Sequence, residues 1–190
     1  MLAHAAAPTP PTASRWDYAA YRELPEDGHR YEILAGALAV TPSPTFRHQK
    51  IAQRLNHALY RALEAPGHGD VLFAPMDVIL SPDTVAQPDL LFVARGRLLL
   101  IDERVGVAPD LVVEILSDST RRRDVLVKTR LYAQFGVTRY WLVDPDADRV
   151  DFLVLAGDRY ETERTASAPE RCEAPGYAGL ELDLAALFAP

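Results

Sequence analysis

The sequence predicts an α/β fold with a mixed central β-sheet flanked by helices, and three observations lead there. Short runs rich in Val, Ile and Leu at 89–94, 110–116 and 140–144 read as strands buried on both faces. Two longer segments carry helical spacing instead. Over 44–64 the apolar face is Ile51, Leu55, Leu59 and Ala62 with His48 at its head, and over 119–135 it is Val125, Leu131, Tyr132 and Phe135 with Lys128 among them. Strands and helices alternate along the chain, with no internal repeat and no second block of composition.

Taken in order, residues 1–14 are mainly Ala, Pro and Thr without a lysine, an arginine or a long apolar run, so they read as a disordered tail and not a signal peptide. A single domain is expected over 15–190. It starts with a short helix over 16–23, a turn at 25–28, and a strand pair over 31–40 hinged at Gly36. The long helix follows and ends at Pro66-Gly67. A strand over 71–80 precedes the first two apolar runs, the Lys128 helix connects the second to the third, and a last strand over 150–155 follows a turn at 145–148.

Composition narrows the function. At 190 residues and 48% hydrophobic the chain suits one domain that buries about 70% of its unfolded surface. A net charge of −7 argues against a surface that coats nucleic acid, because that affinity comes from neutralised phosphates, so any DNA contact is local. No stretch is apolar enough for a transmembrane helix, no membrane partner is expected, and the lone Cys172 excludes an internal disulfide framework. A cytoplasmic location is the expectation.

Charges inside apolar patterns mark the candidate site. Only Lys50 and Lys128 among the 20 Lys and Arg residues are lysine, and Lys128 falls on the inward face of its helix. A chain that otherwise favours arginine has reason to keep a compact, titratable ammonium there, unless the side chain snorkels out. Glu114 is the only charge within 111–116, and an unpaired buried carboxylate is costly, so Glu114 and Lys128 predict a shared polar pocket or a plain buried ion pair. Asp89 opens its strand after Pro88, which is also a common turn signal, and Pro109-Asp110 is a second copy. Glu32 either lines the pocket or covers an edge strand, and His48 is either a ligand or a satisfied boundary residue. Arg121, Arg122 and Arg123 sit in the first turn of the Lys128 helix, where cations oppose the macrodipole and an anion would be welcome; Arg121 shares the Lys128 face while Arg122 and Arg123 fan outward, and the three form a phosphate seat unless the outer two simply pair with Asp118 and Asp124.

With these residues in view, the chain resembles the Uma-two family of restriction endonucleases in the PD-(D/E)XK nuclease superfamily. The resemblance runs through Arg30-Tyr-Glu-Ile-Leu-Ala-Gly36, His48, Gln87-Pro-Asp89, Pro109 to Ser117, Ser119-Thr-Arg121, Lys128 with Tyr132, Tyr140-Trp-Leu-Val-Asp144 and 180–188. It implies a restriction-endonuclease-like core and a metal-dependent endonuclease that hydrolyses DNA phosphodiesters. Asp89 and Glu114, with the Ile115 carbonyl, are then ligands of Mg²⁺ or Mn²⁺, Glu32 is an accessory acid, and Lys128 is the catalytic cation. The superfamily's lysine lies two residues after the second acid, where this chain has Leu116, so Lys128 would act from the next helix. Arg121 and Arg122 are expected to bind phosphate, and His48, Asp110 and Tyr132 to rim the pocket. A silent nuclease-fold binding module and a hydrolase of small phosphate esters are the rival readings. Leu126 and Val127 lie off the inward stripe and predict a homodimer.

Overall fold

A computed structural model of the chain describes residues 15–25 and 27–190; the predicted tail over 1–14 lies outside them. The fold is mixed α/β as expected, with a mixed six-stranded sheet at its larger core, a second mixed six-stranded sheet and a two-stranded one. The larger core belongs to the sheet ordered β12 (Arg159–Ser167), β11 (Arg149–Ala156), β10 (Arg139–Asp144), β9 (Leu111–Ile115), β6 (Leu90–Ala94) and β3 (Gly69–Phe73). Only β9 and β10 are parallel; the other neighbours in this sheet are antiparallel. A parallel pair needs a crossover, and the Lys128 helix supplies it. The second sheet runs β2 (Ala37–Thr41), β1 (Arg30–Leu34), β5 (Thr84–Ala86), β4 (Val78–Ser81), β8 (Arg104–Val105) and β7 (Leu100–Ile101).

The strand expected over 71–80 is therefore two strands in different sheets, β3 and β4. Pro75 lacks an N–H and interrupts the ladder between them. The first helix is shorter than 16–23: α1 spans Tyr18–Tyr21, with the Asp17 carboxylate capping Ala20 N–H. The long helix α2 (Phe46–Leu59) starts at Thr45, whose hydroxyl accepts from His48 N–H, and widens into a π-turn at Tyr60–Glu64.

Alternation along β9 divides its side chains between two cores. Leu111, Val113 and Ile115 pack with Ile51, Leu55 and Leu59 of α2 and with Leu184 and Phe188 of α4 (Leu184–Phe188). Val112 and Leu116 face the opposite side, where they meet Leu131, Tyr132 and Tyr140, and Glu114 shares that side by its period-2 position. Among the described residues no helix is long and apolar enough to cross a membrane.

The Lys128 helix differs from expectation in a way that matters for the site. Its Arg123–Lys128 segment is π-helical and passes into α3 (Thr129–Gln134). The wider turn shifts the phase of the face: Val125, expected inside, is 38% exposed, and Asp124 is buried at 2%. Hydroxyls sustain the irregularity, since Tyr140 and Thr129 donate to the Asp124 carbonyl at 3.0 and 3.2 Å.

Candidate active site

The ends of β6 and β9, strand β1 and two helices meet in a pocket of about 80 Å³ that Asp89, Glu114, Lys128, Glu32 and His48 all line. Leu90 of β6 pairs with Val113 of β9, so Asp89 and Glu114, one step further along antiparallel strands, are cross-strand neighbours. The Asp89 Oδ2 accepts the Ile115 N–H at 2.9 Å and lies 3.1 Å from His48 Nε2. Arg30, two residues before Glu32 on β1, reaches within 3.6 Å of Asp89 Oδ1. Burial works against ionisation of Asp89, but His48, the Ile115 amide and Arg30 hold its carboxyl below the usual range.

Lys128 is the centre of the second half. Its Nζ lies 2.8 Å from Glu114 Oε1, 2.9 Å from Glu32 Oε1 and 3.5 Å from Asp124 Oδ1. Burial alone would depress the lysine, yet these three carboxylates hold its pKa well above the ordinary value, so it stays an ammonium. Glu114 moves the other way: burial, opposed by Lys128 and reinforced by Asp124, Asp89 and Glu32, pushes it well above the usual carboxylate range. Tyr132 sits under the pocket and donates to Glu114 Oε1 at 3.0 Å. The Gln87 N–H donates to Glu32 Oε1 at 2.8 Å, and the Arg30 guanidinium bonds the Gln87 carbonyl at 3.0 Å.

Four residues fall elsewhere than expected: Tyr132 lies beneath the pocket and not at its rim, and three others are further away. Asp110 is not at the rim: it opens β9 at the end opposite Glu114, where its carboxylate accepts Ala94 N–H and pairs with Arg97. Arg121 offers no vacant phosphate seat, because it forks onto Asp144 at 2.7 and 2.9 Å and also reaches Asp146 at 2.9 Å. Its neighbour Arg122 is exposed and outside the lining of this pocket. The cation of that turn which does face the pocket is Arg123, bonded to Thr41 Oγ1 at 2.9 Å.

Arg30 and Asp124 were not among the expected site residues. Arg30 shares the strand face of Glu32, a period-2 signal that could have found it. Asp124 stands four residues before Lys128, the spacing of a helical ion pair, but its inward aim depends on the π-turn.

A family model described as "Uma2: Putative restriction endonuclease" matches residues 18–185. Among solved structures, the chain is similar to "a putative nuclease belonging to DUF820" from Anabaena variabilis ATCC 29413. The two are 20% identical with a TM-score of 0.76, over 91% of this chain and 97% of that one. No curated protein matches.

Proposed function

Because the chain belongs to this family of nuclease-like proteins, we propose that it is a cytoplasmic, Mg²⁺- or Mn²⁺-dependent endonuclease that hydrolyses DNA phosphodiesters at the Asp89–Glu114–Lys128 pocket. The observation that carries the reading is the placing of two neighbouring strand-end carboxylates and one buried ammonium in a single small cavity.

The donor set suits a hard cation. Hydrogen bonds to Glu114 fall on Oε1 and those to Asp89 on Oδ2, which leaves Oε2 and Oδ1 for a metal, with Arg30 at 3.6 Å from the latter. No cluster of three His, Cys, Asp or Glu ligands occurs among the described residues. The two open carboxylate oxygens fit Mg²⁺, which takes one or two carboxylates and keeps several waters. Asp89, Glu114 and the Ile115 carbonyl would hold it. A divalent ion there supplies Lewis-acid polarisation of the phosphate and a more acidic water.

The chain's own residues do the rest. Lys128 presents a fixed positive charge toward the phosphate, and Glu32 and Asp124 hold the ammonium in place. Tyr132 and His48 orient Glu114 and Asp89 respectively, which keeps both carboxylates aimed at one point. Arg123, and not Arg121 or Arg122, is the first-turn cation available to a substrate phosphate at the pocket. Purified protein should therefore nick DNA with Mg²⁺ or Mn²⁺ and lose the activity with chelator.

A second reading has its own observation. All three contacts of the Lys128 ammonium go to protein carboxylates, as in a purely structural ion cluster of a silent binding module. Protein that binds no divalent metal and cleaves neither DNA, RNA nor model phosphodiesters would establish it. In either case a homodimer is part of the proposal, since Leu126 and Val127 are 49% and 42% exposed beside Leu34 and Ala39. A monomeric mass at micromolar concentration would remove that element.

A further inference from the structure

Next to the pocket lies a second groove of about 420 Å³, within the ~300–1,000 Å³ usual for small-molecule sites. The two share Arg30, Pro44, His48 and Asp89, so whatever occupies one is in reach of the other. Its far wall differs in chemistry from the pocket. Gln49, Gln53 and Asn56 succeed one another along one face of α2, and Phe73, 60% exposed at the end of β3, adds an aromatic ring to the same lining. Gln53 accepts from Lys50 Nζ at 2.9 Å and keeps its amide N–H₂ as a donor. Gln49 and Asn56 have no side-chain hydrogen bond among the described residues. Among the described residues of the lining Arg30 is the only Lys or Arg, and the Asp89 carboxylate balances it.

We infer that this groove holds an unstacked nucleobase of the strand whose phosphate lies at the Asp89–Glu114 pocket. The inference rests on the phosphodiester reading above and adds that the bound strand is unpaired there. Amides recognise the donor and acceptor edge of a base, and an exposed aromatic ring stacks on its face; neither is what a phosphate selects. A single neutral groove also agrees with a net charge of −7, which gives little basis for gripping both backbones of a duplex.

The test measures binding of the full chain to a short fluorescent single-stranded DNA, to the same strand with abasic sites, and to the duplex, in Ca²⁺. The normal strand should bind about 10-fold or more tighter than the abasic strand and also tighter than the duplex. Phe73→Ala should shrink the normal-to-abasic ratio by about 10-fold, in the range of stacking on one aromatic ring. Its exposure makes misfolding an unneeded explanation, and an unchanged melting temperature checks that. Equal binding of normal and abasic strands, or a ratio untouched by Phe73→Ala, overturns the inference. Hydrolysis of a base-free model phosphodiester by the wild type separates the two readings: cleavage without base selectivity sinks the groove alone, whereas base selectivity without cleavage under any metal sinks the nuclease and leaves the groove.

Discussion

Pro88-Asp89 and Pro109-Asp110 are the same dipeptide at the mouths of β6 and β9, two antiparallel neighbours, and each aspartate does the same local job. Asp89 Oδ2 accepts the amide of Ile115 on β9, and Asp110 Oδ2 accepts the amide of Ala94 on β6. Proline suits both positions because each stands just before its strand, where no ladder N–H is needed. Antiparallel pairing then carries the two acids to opposite ends of the sheet. At one end Asp89 meets Glu114, His48 and Arg30 in a pocket; at the other, Asp110 meets the half-exposed Arg97. A strand-entry motif thus sets a carboxylate's local anchor, and the elements crossing that end of the sheet decide whether it can do chemistry.

The largest expected effect concerns what makes the Asp89 end different, the buried ammonium. Lys128→Met takes from Glu32, Glu114 and Asp124 the one ammonium that all three contact, and removing one partner of a buried ion cluster costs about 3–5 kcal/mol. Urea unfolding should show that loss, and nicking should vanish. Lys128→Arg should recover most of the stability while cleavage stays low, because a planar fork cannot replace a compact charge at one point. A Lys128→Met protein that unfolds within about 1 kcal/mol of wild type would mean the cluster does not depend on its ammonium.

Asp89→Asn keeps an oxygen for the Ile115 amide but removes the charge from the pocket, so cleavage should drop by about 10²–10³-fold, the scale of losing one fixed electrostatic group. Metal titration should weaken in parallel. If Asp89→Asn cleaves as wild type does, the two Pro-Asp copies are alike after all and the metal site lies elsewhere.

The sequence makes part of this legible and hides part for definite reasons. Glu114 and Lys128 stand out because each breaks an apolar pattern, and a charge in such a place needs a partner. The two Pro-Asp copies cannot be told apart locally, since their difference is long-range: Asp89 faces His48, 41 residues back, and Ile115, 26 residues on. Asp124 escapes a reading at 100° per residue because the π-turn that buries it is held by the distant Tyr140 hydroxyl. Strand β12 escapes as well; Glu161, Glu163 and Arg164 leave it no apolar alternation, and it is held by pairing with β11. The overall α/β class survives such local gaps, since the buried runs β6, β9 and β10 and the helix α2 define the core.

A third strand-end acid sharpens the comparison. Asp144 closes β10 at the Glu114 end of the sheet, yet Arg121 occupies both its oxygens. The Arg121 hydrogen bonds, opposed by partial burial and helped by the Arg121 charge, lower its carboxyl from 3.8 to about 2. A depressed carboxylate stabilises the fold above its unfolded value of 3.8, and the contribution is lost as pH falls toward about 2. At about 1.4 kcal/mol per unit, discounted because Arg121 is 37% exposed, the contribution is roughly 1–2 kcal/mol. Asp144→Asn should therefore be less stable than wild type by this amount at pH 6, with the gap closing between pH 4 and 2. A gap that persists unchanged at pH 2 would assign the loss to packing.

The smallest effect belongs to Asp110→Asn, and set beside Asp110→Ala it isolates what the strand-entry motif contributes without chemistry. Asp110→Asn keeps an oxygen to accept the Ala94 N–H and loses only the pairing with half-exposed Arg97, so it should cost at most about 1 kcal/mol, less still in high salt. Asp110→Ala removes the acceptor as well and leaves the Ala94 amide without it, so about 1–2 kcal/mol more should be lost, independent of salt. Neither change should alter metal affinity or cleavage, because Asp110 sits at the far end of β9 from Glu114. The urea midpoint at two salt concentrations reads the first two statements, and metal titration reads the third. Loss of metal binding in Asp110→Asn, with stability intact, would couple the two ends of the sheet and undo the division of labour drawn between the two copies.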